Sequence, residues 1–186
     1  AVRGMLEQSE RGDIDADARA ALAAALLAGL ATAREQLVTA RDGEGARLHE
    51  VLAGQLDMIG DLTAQAAARA AAQPDLLRQR MDEQLAQLRD AAAPVGEERL
   101  AQELALLATK ADVREELDRL AAHIAAGRAL MAERAPVGRR LDFLCQEFNR
   151  EANTLCSKAV DLELTRLGLE LKTRIEQFRE QVQNVE

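Results

Sequence analysis

Apolar side chains recur every three or four residues along the first third of the chain, which is the spacing of a helix. They are Leu22, Leu26, Leu30, Ala33, Leu37, Leu48, Leu52, Leu56 and Ile59. Gly43 and Gly45 interrupt this pattern, and each glycine costs roughly 1 kcal/mol inside a helix. We predict one long helix over residues 15–72, with a turn near residue 43 as the alternative.

Prolines divide the rest of the chain into shorter helices. Pro74 ends the first helix, because the residue before a proline avoids the helical conformation, and the next helix ends near Pro94. A third helix is predicted from about Glu97 to the break before Pro136, with Asp112 as a candidate cap or kink. Strand-like alternation appears nowhere in the sequence. The predicted fold class is all-α, with long helices forming an extended antiparallel bundle or hairpin.

The last fifty residues are predicted as two helices, over 137–155 and from 158 to the end. All three phenylalanines and both cysteines lie here, whereas the upstream sequence is mostly alanine, leucine and simple charges. We therefore divide the chain into a helical arm, residues 1–94, and a C-terminal domain, residues 95–186.

Polar and apolar side chains separate on the helix over 137–155, at about 100° per residue. The apolar stripe is Leu141, Leu144, Phe148, Ala152 and Leu155. The opposite row is Arg139, Asp142, Gln146, Arg150 and Asn153, and a second polar row is Arg140, Glu147, Glu151 and Thr154. One interpretation is a solvated face with i,i+4 pairs. Against it, Gln, Asn and Arg offer directed hydrogen bonds, whereas solvated faces elsewhere in the chain use Ala, Glu and Arg.

The final helix carries an apolar row with alternating spacings of four and three residues. Its members are Leu164, Gly168, Leu171, Ile175, Phe178, Val182 and Val185. This spacing indicates a coiled-coil-like seam, in which the small Gly168 allows a close approach. We predict that the final helix supplies the subunit contacts of a homo-oligomer.

Composition and charge narrow the possible partners. No run of eighteen apolar residues exists, so we predict no membrane partner. Two cysteines eleven residues apart do not make a disulfide framework, and reduced thiols indicate a cytoplasmic protein. The net charge is −8, of which residues 136–186 carry only −1. An acidic chain is a poor nonspecific nucleic-acid binder, so any nucleic-acid contact would require a local basic patch.

The C-terminal sequence carries a family resemblance. GRRLDFLCQEFNREANTLCSK followed by ELKTRIEQFREQVQNVE resembles the C-terminal signature of the bacterial YicC/YloC family of endoribonucleases. The similarity runs from Pro136 to Glu186 and continues more loosely through RLAQELALLATKADVREELDRLAAH, Arg99 to His123.

The resemblance implies a metal-dependent endoribonuclease that acts on RNA as a homo-oligomer. Proteins of this family carry a separate N-terminal domain, so the chain is expected to be a fragment that lacks it. The positively charged residues that would contact RNA are Arg139, Arg140, Arg150, Lys158 and Arg166.

Two routes could cleave the phosphodiester. One uses a general base and a general acid, commonly two histidines, but the chain has only His49 and His123. The other uses a divalent metal held by clustered carboxylates, and oxygen ligands suit Mn²⁺ or Mg²⁺. The predicted metal ligands are two i,i+4 pairs on helices that would face each other: Glu147, Glu151, Glu176 and Glu180. The predicted catalytic residues are Asp142, Glu147, Glu151 and His123.

Other interpretations of the same residues remain open. Each glutamate pair also suits an ordinary salt-bridging helix face, and His123 also suits a hydrogen-bonded histidine on a helix face. The helices would then form a non-catalytic oligomerisation or RNA-clamp scaffold, with catalysis in the N-terminal domain. From sequence features alone, a coiled-coil interaction module without enzymatic activity fits as well.

Overall fold

The structure, a computed structural model, describes residues 15–88, 97–133 and 135–185. These residues form six helices and no strand, which confirms the all-α prediction. The helices are α1 (Ala16–Ala70), α2 (Gln73–Leu88), α3 (Glu97–Lys110), α4 (Arg114–Met131), α5 (Gly138–Lys158) and α6 (Leu162–Val182).

Helix α1 is continuous for 55 residues, so the predicted long helix is confirmed and the alternative turn near residue 43 is not adopted. Gly43 and Gly45 are exposed, and nothing lies within 4 Å of the position that a Cβ would take at either. These glycines therefore lower the stability of the helix, and no close packing contact requires a glycine at either position.

The helix predicted from Glu97 to the break before Pro136 is two helices in the structure, separated at residues 111–113. Asp112 lies in this break, where its Oδ1 accepts a hydrogen bond from the Arg114 backbone N–H at 3.0 Å. The Arg114 side chain also donates to this carboxylate and lowers its pKa. Asp112 thus lies between the two helices and binds the first backbone N–H of α4.

Contacts between Cα atoms group the chain into two compact units, residues 1–46 and 47–186. In the first unit, the described residues belong to α1 and are exposed. The predicted boundary at residues 94–95 lies outside the described residues. All the side chains discussed below as a functional site lie in the second unit.

Helices α4, α5 and α6 pack as consecutive antiparallel neighbours. Arg140 at the start of α5 pairs with Glu133 beyond the end of α4, and Lys158 at the end of α5 pairs with Glu116 at the start of α4. Their shared core also receives Leu56 and other apolar side chains from the C-terminal half of α1. The largest fully buried side chains in this core are Phe148 and Phe178.

The apolar row on α6 is part of this core, so its buried members are not free to form a seam with a second chain, and the subunit contacts of the final helix stay a prediction. Its members from Leu164 to Val182 are buried within the single chain, and a Cβ on Gly168 would lie 2.6 Å from the Cys156 Sγ of α5. Gly168 therefore allows close approach, but between α5 and α6 of one chain. The homo-oligomer stays a prediction and would need another surface.

Gln73 joins three segments at one end of the bundle. Its side chain is buried, with 4% of the residue exposed. The Nε2 donates to the Ala111 carbonyl oxygen at 2.9 Å, and the Oε1 accepts from the Val160 N–H at 3.1 Å. One amide thus ties the start of α2 to the α3–α4 break and the α5–α6 turn.

Asp161 reinforces the same junction. It caps α6 by accepting a hydrogen bond from the Leu164 N–H at 3.2 Å. It also accepts hydrogen bonds from Nε and Nη2 of Arg69 in α1, at 2.5 Å and 3.1 Å. The hydrogen bond from Arg69 is the main reason why the Asp161 pKa is lowered. The carboxylate is therefore ionised at neutral pH and holds the end of α1 against the start of α6.

Helix α1 also has the length and composition of a membrane-spanning helix over an eighteen-residue window, and none of that window is buried. A signal sequence near an N-terminus passes the same test, as does the core helix of a soluble protein. The absence of a membrane partner therefore stays a prediction.

We expect Gly138→Ala to destabilise the second unit by about 1–3 kcal/mol, the usual cost of overpacking. A Cβ at this first residue of α5 would lie 2.4 Å from the Val185 carbonyl oxygen, a backbone atom that no side-chain rotation can remove. The measurement is urea unfolding followed by helical circular dichroism.

The matched control for this substitution is Gly54→Ala in α1. Nothing lies within 4 Å of a Cβ at Gly54, so alanine there should stabilise the helix by about 0.5–1 kcal/mol. Equal effects of the two substitutions would contradict the contact between the start of α5 and the end of α6.

Candidate active site

A row of charged side chains runs along the seam between α4 and α5. The Lys158 Nζ lies 2.8 Å from an oxygen of Glu116, which is buried. Two helical turns further along α5 towards its start, the Glu151 carboxylate lies 3.5 Å from Arg119 of α4. Burying charged groups costs free energy unless they are paired, so this seam keeps opposite charges in register.

The next turn of the seam brings together His123 of α4 with Glu147 and Glu151 of α5. One ligand atom from each residue lies within 4.8 Å of the others. Glu151 is buried with 3% of the residue exposed, whereas His123 and Glu147 are partly buried. This group, hereafter the His–Glu cluster, comes from the i,i+4 spacing on α5 and from the antiparallel register of α4.

The His123 ring is held in place, but within the described part of the chain its Nε2 lacks a hydrogen-bond partner. Its edge-to-face contact with Phe148 has a centroid separation of 5.8 Å, and Phe148 in turn packs edge-to-face on Phe178 at 6.3 Å. The buried Nε2 of His123 has no partner in the described residues. A buried polar nitrogen without a partner is costly, and one of the two ring nitrogens lies within 4.8 Å of both carboxylates.

These features fit a divalent cation by their chemistry. Imidazole nitrogens and carboxylate oxygens are both ligands of transition metals, and the His123 ring offers one nitrogen close to both carboxylates. The carboxylates already have cationic neighbours, with Arg119 near Glu151 and Arg150 Nη1 at 3.3 Å from Glu147. Arg119 also pairs with Glu115 on its own helix, and the positive charge of the two arginines is placed to contact a phosphate.

Three of the predicted site residues lie outside the His–Glu cluster. Asp142 accepts hydrogen bonds from Gln146 at 3.1 Å and from Arg179 of α6 at 3.3 Å. Glu176 and Glu180 are exposed on α6. The structure therefore brings together Glu147, Glu151 and His123 but does not add the second glutamate pair.

The five positively charged residues predicted to contact RNA are spread out, and most have partners. Arg139 and Lys158 are about 28 Å apart along the axis of α5. Arg166 pairs with Glu163 and Glu170 on its own helix, and Lys158 and Arg140 form the pairs with α4 described above. Within the described residues, Arg139 has no hydrogen bond or ion pair. These residues form no single continuous basic patch.

Sequence reasoning missed the role of two residues. Arg119 contacts Glu151, and Phe148 supports the His123 ring. Arg119 lies one helical turn before His123 in the sequence, and this spacing could have indicated that Arg119 belongs to the site. Phe148 belongs to the apolar stripe of α5, and no sequence pattern distinguishes its position from that of any other core residue.

The two cysteines take no part in this site. Burial is the main reason why the pKa of Cys145 rises to about 12, and it also raises the pKa of Cys156. Both are free thiols, and a raised pKa disfavours the reactive thiolate. The cytoplasmic location inferred from reduced thiols stays a prediction.

Comparison with known proteins places this site within a matched region. Residues 66–186 match the family model described as "Endoribonuclease YicC-like, C-terminal". A protein named "Probable endoribonuclease YicC" from Haemophilus influenzae is 38% identical over 161 residues, which are 84% of this chain and 55% of that protein. A protein of the same name from Clostridioides difficile is 34% identical over 146 residues, 78% of this chain and 50% of that protein. The chain spans about half the length of these curated relatives.

Proposed function

We propose that this chain, which belongs to the YicC-like endoribonuclease family, is the helical C-terminal part of a metal-dependent endoribonuclease. The observation that carries the proposal is the His–Glu cluster. It combines an unpartnered imidazole nitrogen, two carboxylates and two flanking arginines in the region that matches the family.

Each residue of the cluster has a role in this proposal. His123, Glu147 and Glu151 would hold a divalent metal ion, which when bound supplies an activated water and positive charge against the phosphate. Arg119 and Arg150 would donate to non-bridging phosphate oxygens as the charge on them grows. Phe148 packs edge-to-face on the imidazole and restricts its orientation.

The ligand set favours Mn²⁺ over Mg²⁺. Mg²⁺ prefers oxygen ligands only, whereas an imidazole nitrogen among the ligands suits the transition metals. The same argument admits Zn²⁺, which binds mixed nitrogen and oxygen ligands. We therefore expect Mn²⁺ to support cleavage at lower concentrations than Mg²⁺.

The test is cleavage of an end-labelled structured RNA by this chain and by the full-length protein. Each would be assayed with Mn²⁺, with Mg²⁺, with EDTA, and after Mn²⁺ is restored to the EDTA-treated sample. The proposal expects cleavage that EDTA abolishes and Mn²⁺ restores. Equal cleavage in EDTA would rule out metal dependence.

Comparing cleavage by this chain with cleavage by the full-length protein locates the catalytic groups. Metal-dependent cleavage by this chain alone would mean that the helical part contains the whole catalytic centre. If only the full-length protein cleaves, the decisive variant is the full-length protein with Glu147 replaced. Retained activity in that variant would favour the scaffold alternative, in which the helices only bind and orient RNA.

A further inference from the structure

The polar row on α5 that faces away from the core lines an open groove with α6. The groove has a volume of about 620 Å³ and contains no aromatic side chain. Its lining residues are Gln146, Asn149, Arg150, Asn153, Thr154, Glu176 and Arg179. Apart from Thr154, whose hydroxyl donates to the Arg150 carbonyl oxygen, these side chains could all form hydrogen bonds to a ligand.

Asp142 fixes two sides of this groove in place. One carboxylate oxygen accepts from the Gln146 Nε2 at 3.1 Å, and the other accepts from the Arg179 Nε at 3.3 Å. The Gln146 carbonyl oxygen and the terminal nitrogens of Arg179 are therefore oriented but not used by these bonds. A site whose groups are held in advance loses less entropy when a ligand binds.

Two amides of the groove have no hydrogen-bond partner among the described residues. Asn149 is partly buried and Asn153 is exposed, and neither side chain forms a hydrogen bond within the described residues. Glu176 also lacks an ion pair there. The amides supply donors and acceptors together, and Glu176 supplies acceptors, whereas a phosphate site would need donors only.

This mixture of groups is suited to a base edge and a ribose hydroxyl. Nucleobases present donors and acceptors side by side, and asparagine or glutamine amides match such pairs. The ribose 2′-hydroxyl is both donor and acceptor, which is how a protein distinguishes RNA from DNA at one nucleotide. Arg150 and Arg179 are each paired with a carboxylate, and Glu176 adds a negative charge, so phosphate attraction does not explain the composition of the groove.

The groove is linked directly to the His–Glu cluster. Arg150 lines the groove and also donates to Glu147 at 3.3 Å. A nucleotide bound in the groove would therefore lie next to the residues proposed to cleave the RNA.

We propose that the α5–α6 groove binds one nucleotide of the RNA substrate through its base edge and ribose, and so selects where cleavage occurs. This inference rests on the proposed function.

The test measures binding without catalysis. Fluorescence anisotropy in EDTA would give dissociation constants of the full-length protein for four labelled single-stranded RNAs that differ at one central nucleotide, and for the corresponding DNAs. The wild type is expected to distinguish the best from the worst RNA by about tenfold, within the range for one amide–base pair. Asn153→Ala and Asn149→Ala together should reduce that difference to less than about threefold.

The control substitution is Gln102→Ala, an exposed amide on α3, which should preserve the ranking. The double variant should keep the wild-type thermal midpoint, and if it does not, Asn153→Ala alone serves, since Asn153 is exposed.

Equal affinity of the wild type for all four RNAs would overturn the inference. The inference would also be overturned if the double variant bound all four RNAs more weakly by the same factor, because that pattern indicates phosphate contacts alone. Equal affinity for DNA would remove the ribose contact from the proposal. Because no metal is present, selective binding that depends on the asparagines would establish the groove even if the protein failed to cleave RNA, and that failure would count against the proposed function only.

Discussion

Replacing Glu147 with glutamine is expected to lower metal-dependent RNA cleavage by about 10²–10⁴-fold, the range for losing one group that acts directly in catalysis. Glutamine keeps the shape of the side chain and removes its negative charge. In the His–Glu cluster, Glu147 is one of two carboxylates near the His123 ring. Without its charge, a divalent cation loses one anionic ligand and should bind more weakly.

The measurement is the initial cleavage rate of the full-length protein across a Mn²⁺ titration. A higher half-saturating Mn²⁺ concentration should accompany the lower rate. Binding of Mn²⁺ followed by electron paramagnetic resonance provides a readout that does not depend on RNA.

Two other substitutions make this experiment decisive. Glu50→Gln replaces an exposed glutamate of α1 and controls for a general change in charge. Glu180→Gln distinguishes the two ligand sets, because the sequence predicts Glu180 as a ligand and the structure leaves it exposed on α6. Loss of activity in Glu180→Gln with normal activity in Glu147→Gln would refute the His–Glu cluster as the metal site.

Replacing Phe148 with alanine is expected to destabilise the second unit by about 3–5 kcal/mol, the usual cost of removing a buried aromatic ring. The ring is 0% exposed and contacts both the His123 and Phe178 rings. The thermal midpoint should fall by about 6–20 °C, at 2–4 °C per kcal/mol for a domain of this size. Differential scanning calorimetry measures the midpoint, and urea unfolding measures the free energy.

The matched control lies on the same helix. Phe143 of α5 is 63% exposed, so Phe143→Ala should change the free energy of unfolding by less than about 0.5 kcal/mol. Similar losses for both phenylalanines would mean that α5 is rotated about its axis relative to the structure described here. The milder Phe148→Leu separates folding from function, because it should lower activity at temperatures where the protein is still folded.

The helices could largely be predicted because their signals are local. The periodic leucines from Leu22 to Ile59 predicted a helix over 15–72, and the structure has α1 over Ala16–Ala70. Asp112 was a candidate cap or kink, and it lies in the break between α3 and α4. In each case the determining interactions lie within a few residues of one another along the chain.

The site could be predicted only in part, because it depends on which helices pack together. The i,i+4 spacing of Glu147 and Glu151 shows that they share a face, but not that this face meets His123. The same spacing at Glu176 and Glu180 leads to a different surface, since the buried row from Leu164 to Val182 turns them outward. The row also shows why apolar spacing on a helix does not reveal which helix packs against it. Two helices of one chain and two helices of different chains require the same spacing.

The junction at Gln73 has a consequence for any study of RNA affinity at different ionic strengths. Mobile ions screen charged groups over about 10 Å at 0.1 M, and they weaken RNA binding in proportion to the phosphates contacted. Gln73 joins α2, the α3–α4 break and the α5–α6 turn through an uncharged amide, so added electrolyte does not screen these hydrogen bonds, whereas it does weaken the Arg69–Asp161 pair at the same junction. On the proposed function, the slope of RNA affinity against ion concentration then counts displaced counterions together with any loosening at that ion pair.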